Sequence, residues 1–415
     1  MFAKSAAGRV ASTAVAPRAA RAAPAATKTT KAAKAAKLPP LPRQPRLVDL
    51  LRVYNVRNKK FLGQNFLLKK SITDRISTQA VSKTRRGGRV LFVEVGPGPG
   101  GLTRSLLEAG AKHLVAVEKD TTVEPLLGQL RDSSAGRFRY VLGDIIDPDQ
   151  HGLYERIMAE AAVCDVLQRQ RAAQVAASDL DTQAEEETAT MEPFDQVHIV
   201  ANLPFGISGE LVAMWAQQAA ERKYLFSTPD TGMTLMFQKE VCERLAAPLG
   251  SKKRGGLSVQ CQALFNVTQI MTVEGKCFTP APKVDAGVAQ FIPHRQDKLK
   301  GVPFAVFRRL VRAMHHHPNS MVRVALRHNG LDRVVDLLPA CGIDPTQRAF
   351  MIEIEAYVEL ARRCIEEGVD LKARPVRRGA KAATADEVDG DDGGEESEAG
   401  GEDSGAGVKS AARAV

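Results

Sequence analysis

The chain has 415 residues, of which 44% are hydrophobic and 26% charged, a composition ordinary for a soluble globular protein. It contains no run of about 18 apolar residues, so no membrane-spanning helix is predicted. Six scattered cysteines form no C-x-x-C pair, which argues against a zinc site or a disulfide framework. We therefore predict no metal site and reduced thiols.

The net charge of +10 is unevenly distributed. The first 48 residues contain ten Lys or Arg and no acid, which is typical of a mitochondrial or plastid transit peptide. The alternative is a disordered basic arm that binds nucleic acid. Residues 386–403 hold ten acids and no base, which predicts a disordered tail. The remaining body, residues 49–385, has 46 basic and 38 acidic residues, a balance that suits an RNA partner without requiring one.

The body alternates predicted strands and helices. Apolar runs predict strands at residues 89–95, 113–120, 138–144 and 197–205, with a helix at 101–109 after the first. Each of these strands brings a polar residue to its carboxyl end, where ligands of open parallel sheets bind. A fifth strand is predicted at 234–240. Residues 257–267, 269–275 and 286–293 suggest further sheet, including a late antiparallel pair.

Two segments interrupt this alternation. Residues from about 152 to 192 are rich in Ala, Gln and Glu with little apolar periodicity, so we predict a partly helical, surface-exposed insertion without catalytic residues. From Val302 to Glu367, segments with apolar faces predict short helices. The predicted organisation is a transit peptide or basic arm (1–45), an α/β domain (46–295), a smaller helical domain (296–370) and an acidic tail (371–415).

A glycine-rich run, VEVGPGPGG, extends from Val93 to Gly101 at the end of the first predicted strand. Small residues there let the backbone approach a nucleotide-like cofactor, but the same geometry serves NAD, FAD and S-adenosylmethionine enzymes. Glu94 precedes Gly96 by two residues, and Glu118 ends the next strand, where a carboxylate can bind both ribose hydroxyls. Up to this point a dehydrogenase remains possible.

Asp144 ends the third predicted strand and follows a glycine that leaves room for a ring. Its carboxylate suits the amino group of the cofactor's adenine. Taken alone, each strand-end acid could be merely solvated, but acids at three successive strand ends argue against coincidence.

The tetrapeptide Asn202-Leu203-Pro204-Phe205 ends the fourth predicted strand. The exocyclic amine of adenine is a poor nucleophile because its lone pair is delocalised into the ring. Hydrogen bonds to Asn202 and to a backbone carbonyl near Leu203 or Pro204 would favour a pyramidal nitrogen that can attack a sulfonium methyl group. Pro204 rigidifies the loop, and Phe205 can stack on a base swung out of its helix. The alternative is an Asn-initiated turn after a buried strand.

These motifs occur in an order that resembles the ribosomal RNA adenine dimethyltransferases, most of all their mitochondrial branch, from about Leu47 to Gly368. FLGQNFL at Phe61–Leu67 resembles the family's amino-terminal cofactor motif. VEVGPGPGGLTRSLL, VEKD, GD and NLPF resemble the glycine, ribose, adenine and catalytic motifs. The implied catalytic residues are Asn202, Leu203, Pro204 and Phe205. The implied cofactor-binding residues are Gln64, Asn65, Leu67, Glu94, Gly96, Gly98, Glu118, Lys119, Asp144 and Asn202.

The resemblance implies a Rossmann-like, S-adenosylmethionine-dependent methyltransferase domain with a smaller carboxyl-terminal helical domain. It implies four methyl transfers, to N6 of two adjacent adenosines in a hairpin near the 3′ end of small-subunit rRNA. The expected partners are this rRNA and an immature mitochondrial small ribosomal subunit, bound by a monomer in the mitochondrial matrix, with no membrane contact. Two alternatives stay open: a plastid or nucleolar-type enzyme, and a ribosome-assembly or transcription factor whose catalysis is dispensable.

RNA contacts are predicted at two basic places. The loop 251–256 could meet phosphate, or it could be a solvated hairpin; the helical domain could bind through arginines, although arginines on one helix face are often merely exposed. The predicted residues are Lys252, Lys253, Arg254, Arg308, Arg309, Arg312 and Arg323. Where relatives tend to carry Arg-Arg-Lys, this chain has Pro318-Asn319-Ser320 after His315-His316-His317, so charge that would meet phosphate is missing. Consecutive histidines point in different directions on a helix and do not predict a metal site.

Overall fold

The computed structural model describes residues 40–371, apart from 60–62, 86, 148, 180–192, 229 and 318. Almost all of the predicted transit peptide or basic arm, and the acidic tail beyond Leu371, lie outside the described residues. So do Phe61, Leu62, Pro318 and the end of the predicted insertion. The chain divides into two compact units: the first runs to Asn202 and includes Gly275–Pro282, and the second comprises Leu203–Glu274 and the chain from Lys283. The predicted domain boundary near residue 296 stays a prediction.

The first unit contains a parallel sheet of the four strands predicted first. They are β2 (Val90–Val95), β3 (His113–Glu118), β4 (Phe138–Leu142) and β5 (Gln196–Asn202). Their spatial order is β4-β3-β2-β5, and all neighbouring pairs among them are parallel. Strands β2 and β3 are buried along their whole length, which explains why their sequences are mostly apolar. The parallel arrangement brings the ends of these strands to one edge of the sheet.

Helices and a short strand pair also belong to the first unit. The helices are α1 (Leu47–Val53), α2 (Lys70–Ser82), α3 (Gly101–Glu108), α4 (Glu124–Ser133) and α5 (Gln150–Asp179). Helix α3 buries Leu102, Leu106 and Leu107, so the predicted apolar face is confirmed. Strand β1 (Phe66–Leu67) pairs antiparallel with β8 (Phe278–Thr279).

Helix α5 corrects the prediction of a surface-exposed insertion. It occupies the connection between β4 and β5, and it buries Leu153, Ile157, Ala161 and Cys164. These positions recur every three or four residues and form one helical face, but three of the side chains between them are charged and hide the pattern. The prediction was wrong for this half of the segment, which packs against β3 and β4.

A buried ion cluster holds α5 at the far end of the sheet. Asp165 lies 2.8 Å from Arg89, which precedes β2, and 3.0 Å from Arg169, while the His113 ring at the start of β3 lies 3.3 Å away. Because Asp165 is only 6% exposed, these partners balance a carboxylate that would otherwise be costly to bury. The cluster lies at the amino ends of the strands.

The second unit begins with a three-stranded antiparallel sheet and helices. Its strands are β6 (Gly232–Gln238), β7 (Phe265–Val273) and β9 (Ala286–Pro293), in the order β6-β9-β7. Its first helices are α6 (Ser208–Glu221), α7 (Lys239–Leu245) and α8 (Gly256–Leu264). The late antiparallel pair is confirmed.

The prediction of strand at 257–264 was wrong, because these residues form α8. Short apolar runs do not by themselves distinguish a buried strand from a buried helix. Here Ser258 favours the helix, because its hydroxyl accepts a hydrogen bond from the Gly255 N–H at 3.1 Å. The bond gives a partner to a backbone N–H at the start of the helix.

The helical region of the second unit follows the predicted pattern. Its helices are α9 (Phe304–His315), α10 (Val322–His328), α11 (Asp332–Leu337) and α12 (Ile354–Glu366). Phe307 on α9 packs edge-on against Tyr357 of α12, with ring centroids 6.2 Å apart. His315 also faces inward and lies 3.1 Å from the Tyr357 hydroxyl, and burial lowers the pKa of this histidine to about 4. In the described part of the chain, no helix combines the length and apolar character needed to cross a membrane.

Candidate active site

The glycine run forms the loop between β2 and α3. Gly96 and Gly98 have φ of +67° and +52°, in the left-handed region that glycine adopts without strain. A Cβ on Gly98 would lie 3.1 Å from two ring carbons of Phe66, so this position also lacks space for a side chain. A Cβ on Gly96 would meet no atom of the described residues within 4 Å. Among the described residues, the loop therefore leaves space beside Gly96 that a ligand can fill.

Glu118 lies at the end of β3 with both carboxylate oxygens held by this neighbourhood. Oε2 accepts a hydrogen bond from the Gly98 N–H at 2.9 Å, and Oε1 accepts one from the Asp120 N–H at 2.7 Å. Burial raises the pKa of Glu118, although these N–H groups oppose the shift. Each oxygen keeps a second lone pair, which can accept a ligand hydroxyl. This geometry fits the predicted ribose contact.

Asp144, two residues after β4, is half-buried and pairs with Lys119. The Lys119 Nζ lies 2.7 Å from Oδ2, and the Ile146 N–H donates to Oδ1 at 3.1 Å. Burial alone would raise the pKa of Asp144, but these donors outweigh it and lower the pKa. Asp144 is therefore ionised near neutral pH and can accept hydrogen bonds from an adenine amino group.

The residues of the amino-terminal motif make contacts within the protein that the sequence did not predict. Gln64 uses its amide within the protein: Nε2 donates to Asp120 Oδ2 at 2.8 Å, and Oε1 accepts from the Lys59 N–H at 3.0 Å. Leu67 is buried in the β1–β8 pair. Asn65 presents its backbone carbonyl to another predicted site residue. The assigned roles of these three residues toward a cofactor stay predictions.

Asn202 is the last residue of β5, and its side chain is oriented by Asn65. The Asn202 Nδ2 donates a hydrogen bond to the Asn65 carbonyl oxygen at 2.9 Å, which makes Oδ1 the remaining acceptor. The other residues of the tetrapeptide belong to the second unit. Leu203 is buried, and the Pro204 carbonyl accepts from the Ile207 N–H at 3.3 Å. Phe205 is half-buried, and its carbonyl accepts from the Ser208 hydroxyl at 3.2 Å.

Glu94, in β2, is a carboxylate enclosed by the sheet and α3. It is fully buried, and neither oxygen forms a hydrogen bond of ordinary geometry within the described residues. Burial raises the pKa of Glu94 to about 8, and the nearby Thr103 opposes the shift only in part. A buried carboxyl without a full set of partners is costly, and a cationic or hydrogen-donating ligand would offset that cost.

Glu94 should make the stability of the cofactor-free protein depend on pH. Its folded pKa of about 8 exceeds the value of 4.5 for an ordinary glutamate, so the folded state binds more protons between these values. The free energy of unfolding should therefore fall by about 3 kcal/mol as pH rises from about 5.5 to about 8.5. Urea denaturation across this pH range measures the slope.

The matched variants are Glu94→Gln, which should flatten the slope, and Glu240→Gln on the exposed side of α7, which should leave it unchanged. An unaltered slope in Glu94→Gln would show that another group titrates.

The comparisons with known proteins agree with this geometry. The model of the family described as "Ribosomal RNA adenine dimethylase" matches residues 55–366. The chain belongs to this family. It is 34% identical over 323 residues to "Dimethyladenosine transferase 1, mitochondrial" of Xenopus tropicalis, covering 75% of this chain and 82% of the relative. It is 35% identical over 321 residues to the human protein of the same name, with the same coverage. A crystal structure of a dimethyladenosine transferase from Plasmodium falciparum matches with a TM-score of 0.52 at 18% identity, over 72% of this chain and 97% of that one.

This rRNA adenine dimethylase therefore has the predicted Rossmann-like methyltransferase fold and uses S-adenosylmethionine to dimethylate adenine in rRNA. The residues at the strand ends suit that cofactor. Glu118 offers acceptors for ribose hydroxyls and Asp144 an acceptor for the adenine amine. Glu94 adds a buried carboxyl group whose oxygens form no hydrogen bond of ordinary geometry within the described residues.

Of the three residues of the loop 251–256 that were predicted to contact RNA, one is buried and two are exposed. Arg254 is only 3% exposed, and its guanidinium donates to Gln262 Oε1 at 3.1 Å and to the Ile352 carbonyl at 2.9 Å. These contacts disagree with a phosphate-binding role for Arg254 in the dimethylase. Lys252 is exposed, while Lys253 forms an ion pair with Glu243. The loop connects two helices and is not a hairpin.

The predicted arginines of α9 share one face. Arg309 and Arg312 are exposed, Arg308 is half-buried, and all three line an open cavity of about 640 Å³ together with His316. Arg323, on α10, is half-buried and does not line this cavity. Arginines spaced three and four residues apart on one helix can contact the same strand of phosphates. Their role in RNA binding stays a prediction.

Two residues of the site were not found from the sequence. Asp120 and Lys59 form an ion pair of 2.6 Å next to Glu118, although 61 residues separate them in the chain. The available signal was the acid of VEKD, which follows the strand end by two residues. No local pattern connects it with a lysine before the amino-terminal motif.

Proposed function

We propose that this enzyme dimethylates N6 of two adjacent adenosines in the 3′-terminal hairpin of mitochondrial small-subunit rRNA. It would act as a monomer on an immature small ribosomal subunit in the mitochondrial matrix. Support comes from the names of the Xenopus tropicalis and human relatives and from the basic, acid-free first 48 residues. The observation that carries the chemistry is Asn202 Oδ1, left as an acceptor at the end of β5 by the Asn65 contact.

Residues at three strand ends bind the cofactor in this proposal. Glu118 accepts hydrogen bonds from the ribose, Asp144 accepts from the adenine, and the loop at Gly96 approaches the ligand closely. S-adenosylmethionine, when bound, supplies an electrophilic methyl group. The order of these groups follows the strand order β4-β3-β2-β5, which leaves Asn202 next to the strand that carries the glycine loop.

Asn202 activates the adenine amine by orientation and not by removing a proton. Its Oδ1 accepts a hydrogen bond from the N6 amine, and a backbone carbonyl of the tetrapeptide accepts the second. These bonds favour a pyramidal nitrogen, whose lone pair forms the new N–C bond as the methyl–sulfur bond breaks. An amide is too weak a base to hold the released proton, which leaves to water. In the second transfer the monomethylated amine has a single N–H left, which one of these two acceptors holds while the nitrogen lone pair faces the next methyl group.

The RNA would be held by the helical region through the arginine face of α9. Arg309 and Arg312 form no ion pair of 4 Å or less with a described carboxylate, so their guanidinium groups are available to phosphate. Phosphate contacts position the RNA, while the tetrapeptide selects the base. Lys252 adds a further exposed charge.

The test is methylation of a synthetic small-subunit 3′ hairpin by the purified full-length chain, with mass-spectrometric detection of N6,N6-dimethyladenosine. Four methyl groups per hairpin are expected. A control hairpin with guanosines in place of both adenosines should accept none. Dimethylation of another rRNA segment in place of this hairpin would contradict the proposed target. Absence of any methylation of RNA and of immature subunits would favour a role as an assembly scaffold.

A further inference from the structure

Asp120 is the most densely bonded carboxylate near the candidate site. Its side chain is fully buried, and Oδ1 accepts from Lys59 Nζ at 2.6 Å, from the Thr122 N–H at 3.0 Å and from the Thr122 hydroxyl at 2.6 Å. Oδ2 accepts from Gln64 Nε2 at 2.8 Å. Burial alone would raise the pKa of Asp120, but Lys59, Thr122 and Gln64 lower it to about 2. The carboxylate therefore stays ionised, and each of its oxygens accepts at least one hydrogen bond.

Two of these partners belong to the amino-terminal motif and the residues just before it. Lys59 and Gln64 are also tied to each other, because the Lys59 N–H donates to Gln64 Oε1 at 3.0 Å. The next residue, Asn65, presents the carbonyl that receives the Asn202 amide at 2.9 Å. The segment held by Asp120 is thus the segment that orients Asn202.

Asp120 also contacts the groups predicted to hold the cofactor. Its N–H donates to Glu118 Oε1, whose other oxygen accepts from the Gly98 N–H. A continuous series of hydrogen bonds therefore runs from the glycine loop through Glu118 and Asp120 to Gln64. The covalent step to Asn65 completes the connection to Asn202.

We infer that Asp120 is a positioning residue that couples the cofactor-binding strand end to the catalytic asparagine by anchoring Lys59 and Gln64. It does not touch the reacting atoms. This inference rests on the proposed role of Asn202, and it assigns the Gln64 side chain to anchoring instead of direct cofactor contact. Loss of the anchor should weaken cofactor binding and misplace the Asn65 carbonyl together.

The donor and acceptor pattern allows a swap experiment. In Asp120→Asn, a new N–H group must face either the Gln64 Nε2 donor or the Lys59 and Thr122 donors, so at least one hydrogen bond is lost. In Gln64→Glu, two carboxylates would meet at a position now spanned by 2.8 Å. The double variant Asp120→Asn/Gln64→Glu restores every pairing, because the new glutamate accepts from the new asparagine and from the Lys59 N–H. Its net charge equals that of the wild type.

Calorimetric titration of the full-length chain with S-adenosylhomocysteine measures the effect without RNA. Each single variant should bind about tenfold or more weakly, since one hydrogen bond to a charged group corresponds to about this factor. The double variant should recover most of the affinity. Equal affinity in wild type and both single variants would overturn the inference, as would a double variant no better than the weaker single one.

Two further variants separate positioning from general stability. Lys59→Met removes the partly exposed partner and should weaken binding; because it leaves the buried Asp120 carboxylate without its cation, it should also lower the thermal midpoint. Asp132→Asn, which removes a surface ion pair with Arg131, should change neither quantity. A lower midpoint with unchanged affinity in Lys59→Met would overturn the positioning role. Single-turnover methylation of the hairpin then reports whether the methylation rate recovers in the double variant. If the wild type itself does not methylate the hairpin, the proposed substrate is contradicted, but the binding result still stands.

Discussion

Asn202→Ala should reduce methyl transfer to rRNA by about 10²–10³-fold, as removal of one preorganised hydrogen-bonding group does at other active sites. The lost group is Oδ1, the acceptor that remains after Nδ2 is used by the Asn65 carbonyl. Without it the N6 amine stays planar and its lone pair stays in the ring. Single-turnover kinetics at saturating cofactor and RNA measure this step directly.

Asn202→Asp is the informative companion variant. It keeps an acceptor oxygen but loses the donor to Asn65, so a carboxylate oxygen would face a carbonyl oxygen at 2.9 Å. We expect the side chain to turn away and the rate to fall nearly as far as with alanine. Asn266→Ala, on the exposed side of β7, is the matched control and should retain full activity. A near-normal rate in Asn202→Ala would contradict the catalytic assignment.

Arg254→Ala should destabilise the protein by about 3 kcal/mol, because it leaves buried acceptors without a donor. The guanidinium now donates to Gln262 Oε1 and to the Ile352 carbonyl, joining the 251–256 loop to the segment before α12. Urea denaturation measures the loss. By contrast, Lys252→Ala should leave stability within about 0.5 kcal/mol, as exposed substitutions usually do.

RNA titration at several salt concentrations separates the roles of these two residues. Lys252→Ala should weaken binding and reduce the salt dependence, as loss of a phosphate contact does. Arg254→Ala should leave the salt dependence unchanged at temperatures where it is folded. The assignment of Arg254 to the core fails if its loss weakens RNA binding while stability is kept.

The sequence was sufficient for the elements whose signals are local. Four parallel strands could be predicted because burial on both faces produces mostly apolar runs, as in Val90–Val95. The glycine loop could be predicted because Gly96 and Gly98 have positive φ, and each such position by itself favours glycine in the sequence. Glu118 and Asp144 could be predicted as site residues because they lie at the ends of strands, and parallel strands bring those ends to one edge of the sheet.

The same local reasoning failed where an apolar run fits both a strand and a helix, or where charged residues obscure the apolar face of a helix. Residues 257–264 have the apolar content of a buried strand, and Ser258 at the helix start was needed to decide for α8. In α5, the buried stripe from Leu153 to Cys164 is obscured by intervening charged residues. Packing against β3 and β4 determined that this helix is part of the core.

Motif order, strand positions and the type of chemistry are thus determined by the sequence itself, because each depends on residues close together in the chain. The use of individual polar side chains was decided by the tertiary structure. Gln64 anchors to Asp120, Arg254 turns into the core, and Asn202 is oriented by the Asn65 carbonyl. Each of these hydrogen bonds requires two groups that are far apart in sequence to lie about 3 Å apart. Only the folded chain brings such groups together.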